Sequence, residues 1–273
     1  MKFESKEIFT LAGAAISYIL FVVLVSVSNL SVNSLVNLQN YLLKSAILRT
    51  EGSGTINAIS IILQPFFSIL LAIILLVLFF SFLSSYGYFD INKKLGLAAG
   101  LITAVITLIV FPTITGAFLA ISLIVACFYI TPLANTYGKE FRKWVKFRVG
   151  SNAVGKALLI FNVLLALGIF FSVLSSSQFY QSSFKNELKS TLTEIALAAL
   201  PAAGVPNDVK TEVESRVANS VENSPLINAY LRWLPVLSAL GVWVILEFLR
   251  NIIFSNIGGL FNYVLSTFHE KRK

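Results

Sequence analysis

A series of apolar runs, each about as long as a lipid bilayer is thick, decides what this chain can fold into. A helix crossing the ~30 Å hydrocarbon core needs about 20 mostly apolar residues. Six runs meet or approach that length: Phe9 to Leu30, Ala58 to Leu83, Leu95 to about Phe111, about Ala117 to Ala134, Ala157 to about Leu174, and Trp233 to at least Leu249. Only residues 112–116, Pro-Thr-Ile-Thr-Gly, separate the third run from the fourth. Together those two runs exceed one crossing, so they read as a helical hairpin. The first run follows Lys2 and Lys6, as a signal peptide would, but Glu4 and Glu7 share that flank. Its apolar stretch is also longer than a signal core, so an uncleaved first helix is expected.

Composition points the same way. Of 273 residues, 56% are hydrophobic and 12% charged, and the mean hydropathy is +0.82. An average soluble domain carries about 25% charged residues. This chain has too little charge to cover a soluble globule, and it is too apolar to stay disordered. The expected fold is all-α: a polytopic integral membrane protein of about six transmembrane helices, with a small external helical cap between the fifth and sixth.

Lysine and arginine favour the cytoplasmic side of short loops. Between the fourth and fifth helices lie Lys139, Arg142, Lys143, Lys146, Arg148 and Lys156 against a single acid, Glu140. Lys93 and Lys94, both termini and this stretch fall on one side if six helices alternate. Both termini are therefore expected in the cytoplasm, and the short loops fit a prokaryotic cytoplasmic membrane. This divides the chain into residues 1–176 (five helices, an external segment at 31–57 and a basic loop at 136–156), an external segment at 177–232, and a last helix with a basic tail at 233–273.

The external segments carry helical stripes. Phe184, Leu188, Leu192, Ile195 and Ala199 recur at helical spacing until Pro201, Gly204 and Pro206 interrupt them. Asn207 is placed to cap a second helix, on which Val209, Val213, Val217 and Val221 repeat every four residues. Ser224-Pro225 then starts a third helix that runs into the last span, with Pro235 as a bend. In 31–57, Leu35, Leu38, Leu42 and Ala46 share one face, and Asn29-Leu30-Ser31 matches a glycosylation sequon at the membrane edge.

Ionisable groups inside a bilayer are costly and mark function by default. One such pair stands out, Glu247 and Arg250, three residues apart on one helix face. Counted from Trp233, the two lie roughly 21 Å and 26 Å along, near the inner boundary of the last span. The plainer reading is an ion pair that ends the span, with Arg250 reaching the headgroups. The sharper readings are a pore-lining carboxylate and an inter-subunit contact. Past Arg250, polar Asn251, Ser255, Asn256 and Asn262 interleave with apolar residues. The segment reads equally as a tilted continuation and as an interfacial helix broken at Gly258-Gly259. Gln64-Pro65 marks a kink in the second span, and Asn162 a polar contact in the fifth. Arg142, Lys143, Trp144, Lys146 and Arg148 are expected to meet anionic lipid headgroups at the cytoplasmic face. No nucleic-acid motif accompanies them.

Several chemistries drop out. One cysteine, Cys127, and one histidine, His269, far apart in sequence, supply neither a zinc site nor a Cys–His nucleophile. No nucleotide-binding or zinc-protease motif is present, and no cofactor is implied. No constellation of acid, base and metal ligands points to an enzyme. The expected role is a non-catalytic membrane subunit or scaffold that binds other membrane or external proteins. The alternative is a channel or transporter acting as a homo-oligomer.

Overall fold

The computed structural model describes residues 5–28, 55–89, 93–198 and 206–271, and these are helical with no β-strand among them. The helices are α1 (Ser5–Val27), α2 (Thr55–Phe89), α3 (Lys93–Val110), α4 (Ile114–Glu140), α5 (Val145–Ser175), α6 (Ser177–Ala198), α7 (Asn207–Asn223), α8 (Pro225–Leu249) and α9 (Ser255–Lys271). A π-helical turn, Arg250–Phe254, joins α8 to α9 without a break. The protein is an all-α, polytopic helical membrane protein. By length and composition, five segments are able to cross a bilayer: Ile8–Val27, Phe67–Phe89, Ile114–Glu140, Val145–Ser175 and Pro225–Phe268.

The third run of the expected six is the exception. Its helix, α3, has 18 residues, roughly 27 Å of rise. Pro112 stops it just short of a full core. The hairpin to α4 forms as expected. Thr113 caps α4, accepting from the Gly116 N–H at 3.0 Å. Gly116 is required there, because a Cβ would lie 1.9 Å from the Phe111 carbonyl oxygen.

Four helices, α2, α4, α5 and α9, close a ring, and α1, α3 and α8 lie outside it, resting chiefly on α2, α4 and α5 respectively. The core is filled by Leu76, Phe79, Phe80 and Leu83 of α2, Leu123 and Ile130 of α4, and Val154 and Leu158 of α5, all at most 1% exposed. On α1, Tyr18 is buried and its hydroxyl donates to the Thr103 carbonyl of α3 at 3.2 Å and bonds Thr107 Oγ1. Burying an aromatic hydroxyl in this way requires such partners.

One expectation about helix ends is corrected, and of two open readings the structure takes one. The basic stretch 136–156 is helical except at residues 141–144. The segment after Arg250 is not broken at Gly258-Gly259. There the missing side chains let α9 lie directly on α5: a Cβ on Gly258 would lie 2.8 Å from Val154, and one on Gly259 2.8 Å from Phe147. Opposite them, a Cβ on Gly150 would lie 2.2 Å from the Asn262 Cβ. Small residues of this kind let membrane helices approach closely. Asn262, fully buried, donates to the Lys146 carbonyl at 2.6 Å, and Ser266 bonds Ser85 of α2 at 3.2 Å.

The segment 177–232 forms the two helices expected before the last span. Phe184 on α6 meets Tyr230 of α8, ring centroids 5.1 Å apart, and Val221 ends the valine stripe buried. Tyr180, Leu231 and Leu234 pack on Ile169 and Val173 at the C-terminal end of α5. Ser224 caps α8 with Pro225 at its first turn, accepting from the Ile227 N–H at 3.3 Å. Asn207 is not the cap of α7; it is the first helical residue, and Pro206 occupies the cap position with no side-chain bond. The proline side chain has no acceptor to offer, and its carbonyl takes the first helical bond, from the Lys210 N–H at 3.1 Å. The stripe of 31–57, the sequon at Asn29, Ala199 and the breaker residues 201–205 lie outside the described residues, apart from the first turn of α2.

Candidate functional site

Glu247 and Arg250 form a two-pronged ion pair on the last turn of α8. Arg250 Nε donates to Glu247 Oε2 at 2.9 Å, and Nη2 donates to Oε1. The third donor, Nη1, reaches across to the Gly155 carbonyl of α5 at 3.1 Å. The side-chain amides of Asn162, on α5, and Asn251 lie close enough to the Glu247 carboxylate to favour its charge. Asn162 is 4% exposed, so its amide needs such a partner. The sequence had presented Asn162 and the ion pair as separate features; the fold brings them together.

The π turn makes this geometry. It starts at Arg250, the residue whose side chain crosses to α5, and widening the helix there admits that crossing. Single π turns of this kind occur frequently at functional sites. On the facing helix, a Cβ at Gly155 would lie 2.7 Å from Ser255 Oγ, so glycine leaves room for that hydroxyl, with Arg250 Nη1 in ordinary contact distance at 3.6 Å. Sequence reading missed Gly155 and Ser255. The available signal was Gly150 and Gly155 on α5 facing the small residues Ser255, Gly258 and Gly259.

The pair lies at mid-helix rather than at a helix end. The last helix does not end at Arg250. It continues for a 44-residue span, Pro225–Phe268, and the pair falls at its middle. The facing helix gives the same result: roughly 24 Å of helix separates Lys146 from Asn162, and roughly 20 Å separates Asn162 from Ser175. Here the side chains of Arg250 and Glu247 are only 15% and 19% exposed, and the guanidinium turns inward to α5 rather than along its own helix.

The face of α8 and α9 turned away from the bundle is different. Leu240, Val244, Phe248, Ile252 and Leu260 are each about half exposed or more, and Asn251 and Asn256 are exposed among them. Asn256 donates to the Ile252 carbonyl of its own helix at 2.9 Å.

The backbone of α2 is helical through Gln64 and Pro65, whose side chains lie outside the described residues. At the basic end, the five residues expected at headgroups divide. Lys146 pairs with Glu270 of α9, and Arg148 lies over the Phe141 ring at 4.7 Å. Arg142, Lys143 and Trp144 are exposed, Trp144 at 78%. Among the described residues no three His, Cys, Asp or Glu side chains gather as metal ligands, and Cys127 is buried.

No family model, curated protein or solved structure matches this chain.

Proposed function

We propose that this protein is a non-catalytic membrane subunit, spanning the bilayer six times with both termini in the cytoplasm, that binds another membrane protein through the outward face of α8 and α9. One observation carries the reading: Asn251 and Asn256 are exposed near the middle of a membrane-length helix, between Phe248 and Ile252 at 63% and 54% exposure and Leu260 at 55%. Carboxamides are poorly matched to hydrocarbon and well matched to a neighbouring helix. Behind that face, the Glu247–Arg250 pair ties the edge helix to α5, so the docking surface is held by the bundle. Three residues of lipid-facing helix on the opposite edge, Ile102, Val105 and Ile109 of α3, make the contrast, being exposed with no amide among them.

A photo-crosslinking side chain at Asn256, in the protein's native membrane, tests this. A discrete adduct with a different polypeptide is expected. Adducts with lipid alone would overturn the reading.

The second reading is a channel or transporter acting as a homo-oligomer, favoured by a carboxylate at mid-helix that two amides address. Purified protein in liposomes separates the two. Solute flux that Glu247→Gln alters supports transport, and a partner adduct without flux supports the subunit.

A further inference from the structure

We infer that the α4–α5 turn, residues 139–144, is a preformed binding site for anionic phospholipid headgroups, with Lys139, Arg142 and Lys143 as the cations and Trp144 as the interfacial anchor. The turn is fixed at both ends. At its start, the Phe141 N–H closes α4 on the Tyr137 carbonyl at 3.1 Å. The Phe141 ring stacks on Tyr137 at 5.6 Å, and the Arg148 guanidinium lies over it. At its end, the Arg148 N–H bonds the Trp144 carbonyl at 2.9 Å, so Trp144 opens α5.

Trp144 sits at φ 54°, ψ 35°, the left-handed region. A bulky aromatic rarely adopts it, and the surrounding turn must hold it there. The conformation carries the indole outward to 78% exposure rather than onto the bundle, where an aromatic would otherwise gain by burial. Indoles favour the bilayer interface.

Charge identifies the occupant. Lys146 is neutralised by Glu270, and Arg148 is engaged by Phe141. Lys139, Arg142 and Lys143 are exposed, beside one acid, Glu140. Three cations and an interfacial indole on a membrane-embedded chain match a lipid phosphodiester of net negative charge, which lies in reach by construction. Zwitterionic lipid offers the indole the same depth but not the charge.

The chain has three tryptophans, so Trp233→Phe with Trp243→Phe leaves Trp144 as sole emitter. This variant is reconstituted in phosphatidylcholine vesicles containing equal fractions of brominated phosphatidylglycerol or brominated phosphatidylcholine. The anionic quencher is expected to act roughly twofold or more strongly, and the difference to shrink with added salt. Adding Arg142→Gln and Lys143→Gln removes the difference while quenching by brominated phosphatidylcholine persists, which shows the turn still at the interface. Lys146→Gln leaves the difference intact. Equal quenching by the two lipids in the parent overturns the inference, as does a difference that survives the double substitution. Inorganic phosphate that erases the difference, where chloride of equal ionic strength does not, overturns it in favour of a free-anion site.

Discussion

Two carboxylate–cation groupings sit at different levels of this molecule. In the cap, Glu222 of α7 accepts from Lys185 at 3.1 Å and Lys189 at 2.7 Å, on α6. At mid-helix, Glu247 accepts from Arg250, which also binds a carbonyl of another helix. The Glu222 side chain is 49% exposed, and that of Glu247 is 19%. Exposed pairs lose most of their Coulomb energy to water and salt. A pair withdrawn from water is different: breaking it strands a charge, although the intact pair adds little over an apolar replacement. The cap grouping is therefore an adjustable clasp between two short helices, and the inner one fixes how α8 sits on α5.

That contrast is most exposed to test at Glu247. Glu247→Gln leaves Arg250 without a countercharge and is expected to lower stability by on the order of 3 kcal/mol. The double variant Glu247→Gln, Arg250→Gln is expected to lose less than the single one. Unfolding is followed by a thiol-reactive dye on Cys127, the only cysteine, which is fully buried until the bundle opens. Next comes Gly150→Ala, whose Cβ would press on Asn262 and the Gly258 carbonyl at 2.2 and 2.7 Å. Parting α5 from α9 is expected to cost about 1–3 kcal/mol by the same readout. Asn262→Ala removes one interhelical bond, and about 1 kcal/mol with it.

The smallest effect belongs to the cap. Glu222→Gln is expected to leave the dye midpoint unchanged and to raise amide exchange only in α6 and α7. Acid sharpens the point. Bonds first from Lys189 and then from Lys185 hold the Glu222 carboxyl below the ordinary glutamate range. A lowered folded pKa contributes stability at neutral pH that is lost as pH falls through the lowered value. Amide exchange in the cap, corrected for its intrinsic pH dependence, should therefore rise below the usual glutamate value of about 4.3. Glu222→Gln should lack that rise.

What the sequence made legible was what is encoded locally. Ser224-Pro225, the Thr113 turn and the valine stripe ending at Val221 depend on residues within a turn or two of one another. So did the fold class, since apolar run length answers directly to bilayer thickness. The site was legible only in pieces. Glu247 and Arg250 pair at short range, but Asn162 and Gly155 come from another helix, and nothing local joins them. Gly258-Gly259 left two readings open for a related reason. Judged alone, two glycines weaken a helix; set against Val154 and Phe147, they are what lets two helices touch. Extending the last helix through them put the ion pair at mid-helix.

That this mid-helix position lies within the bilayer core is the central claim, and nitroxide depth measurement tests it most directly. With Cys127→Ala, single cysteines at Asn251 and Thr267 are spin-labelled in reconstituted bilayers, and collision rates with oxygen and with a water-soluble nickel chelate are compared. The account predicts that position 251 meets oxygen and almost no chelate, with chelate access rising at 267. Equal chelate access at both positions would return Glu247 and Arg250 to the membrane boundary and contradict it.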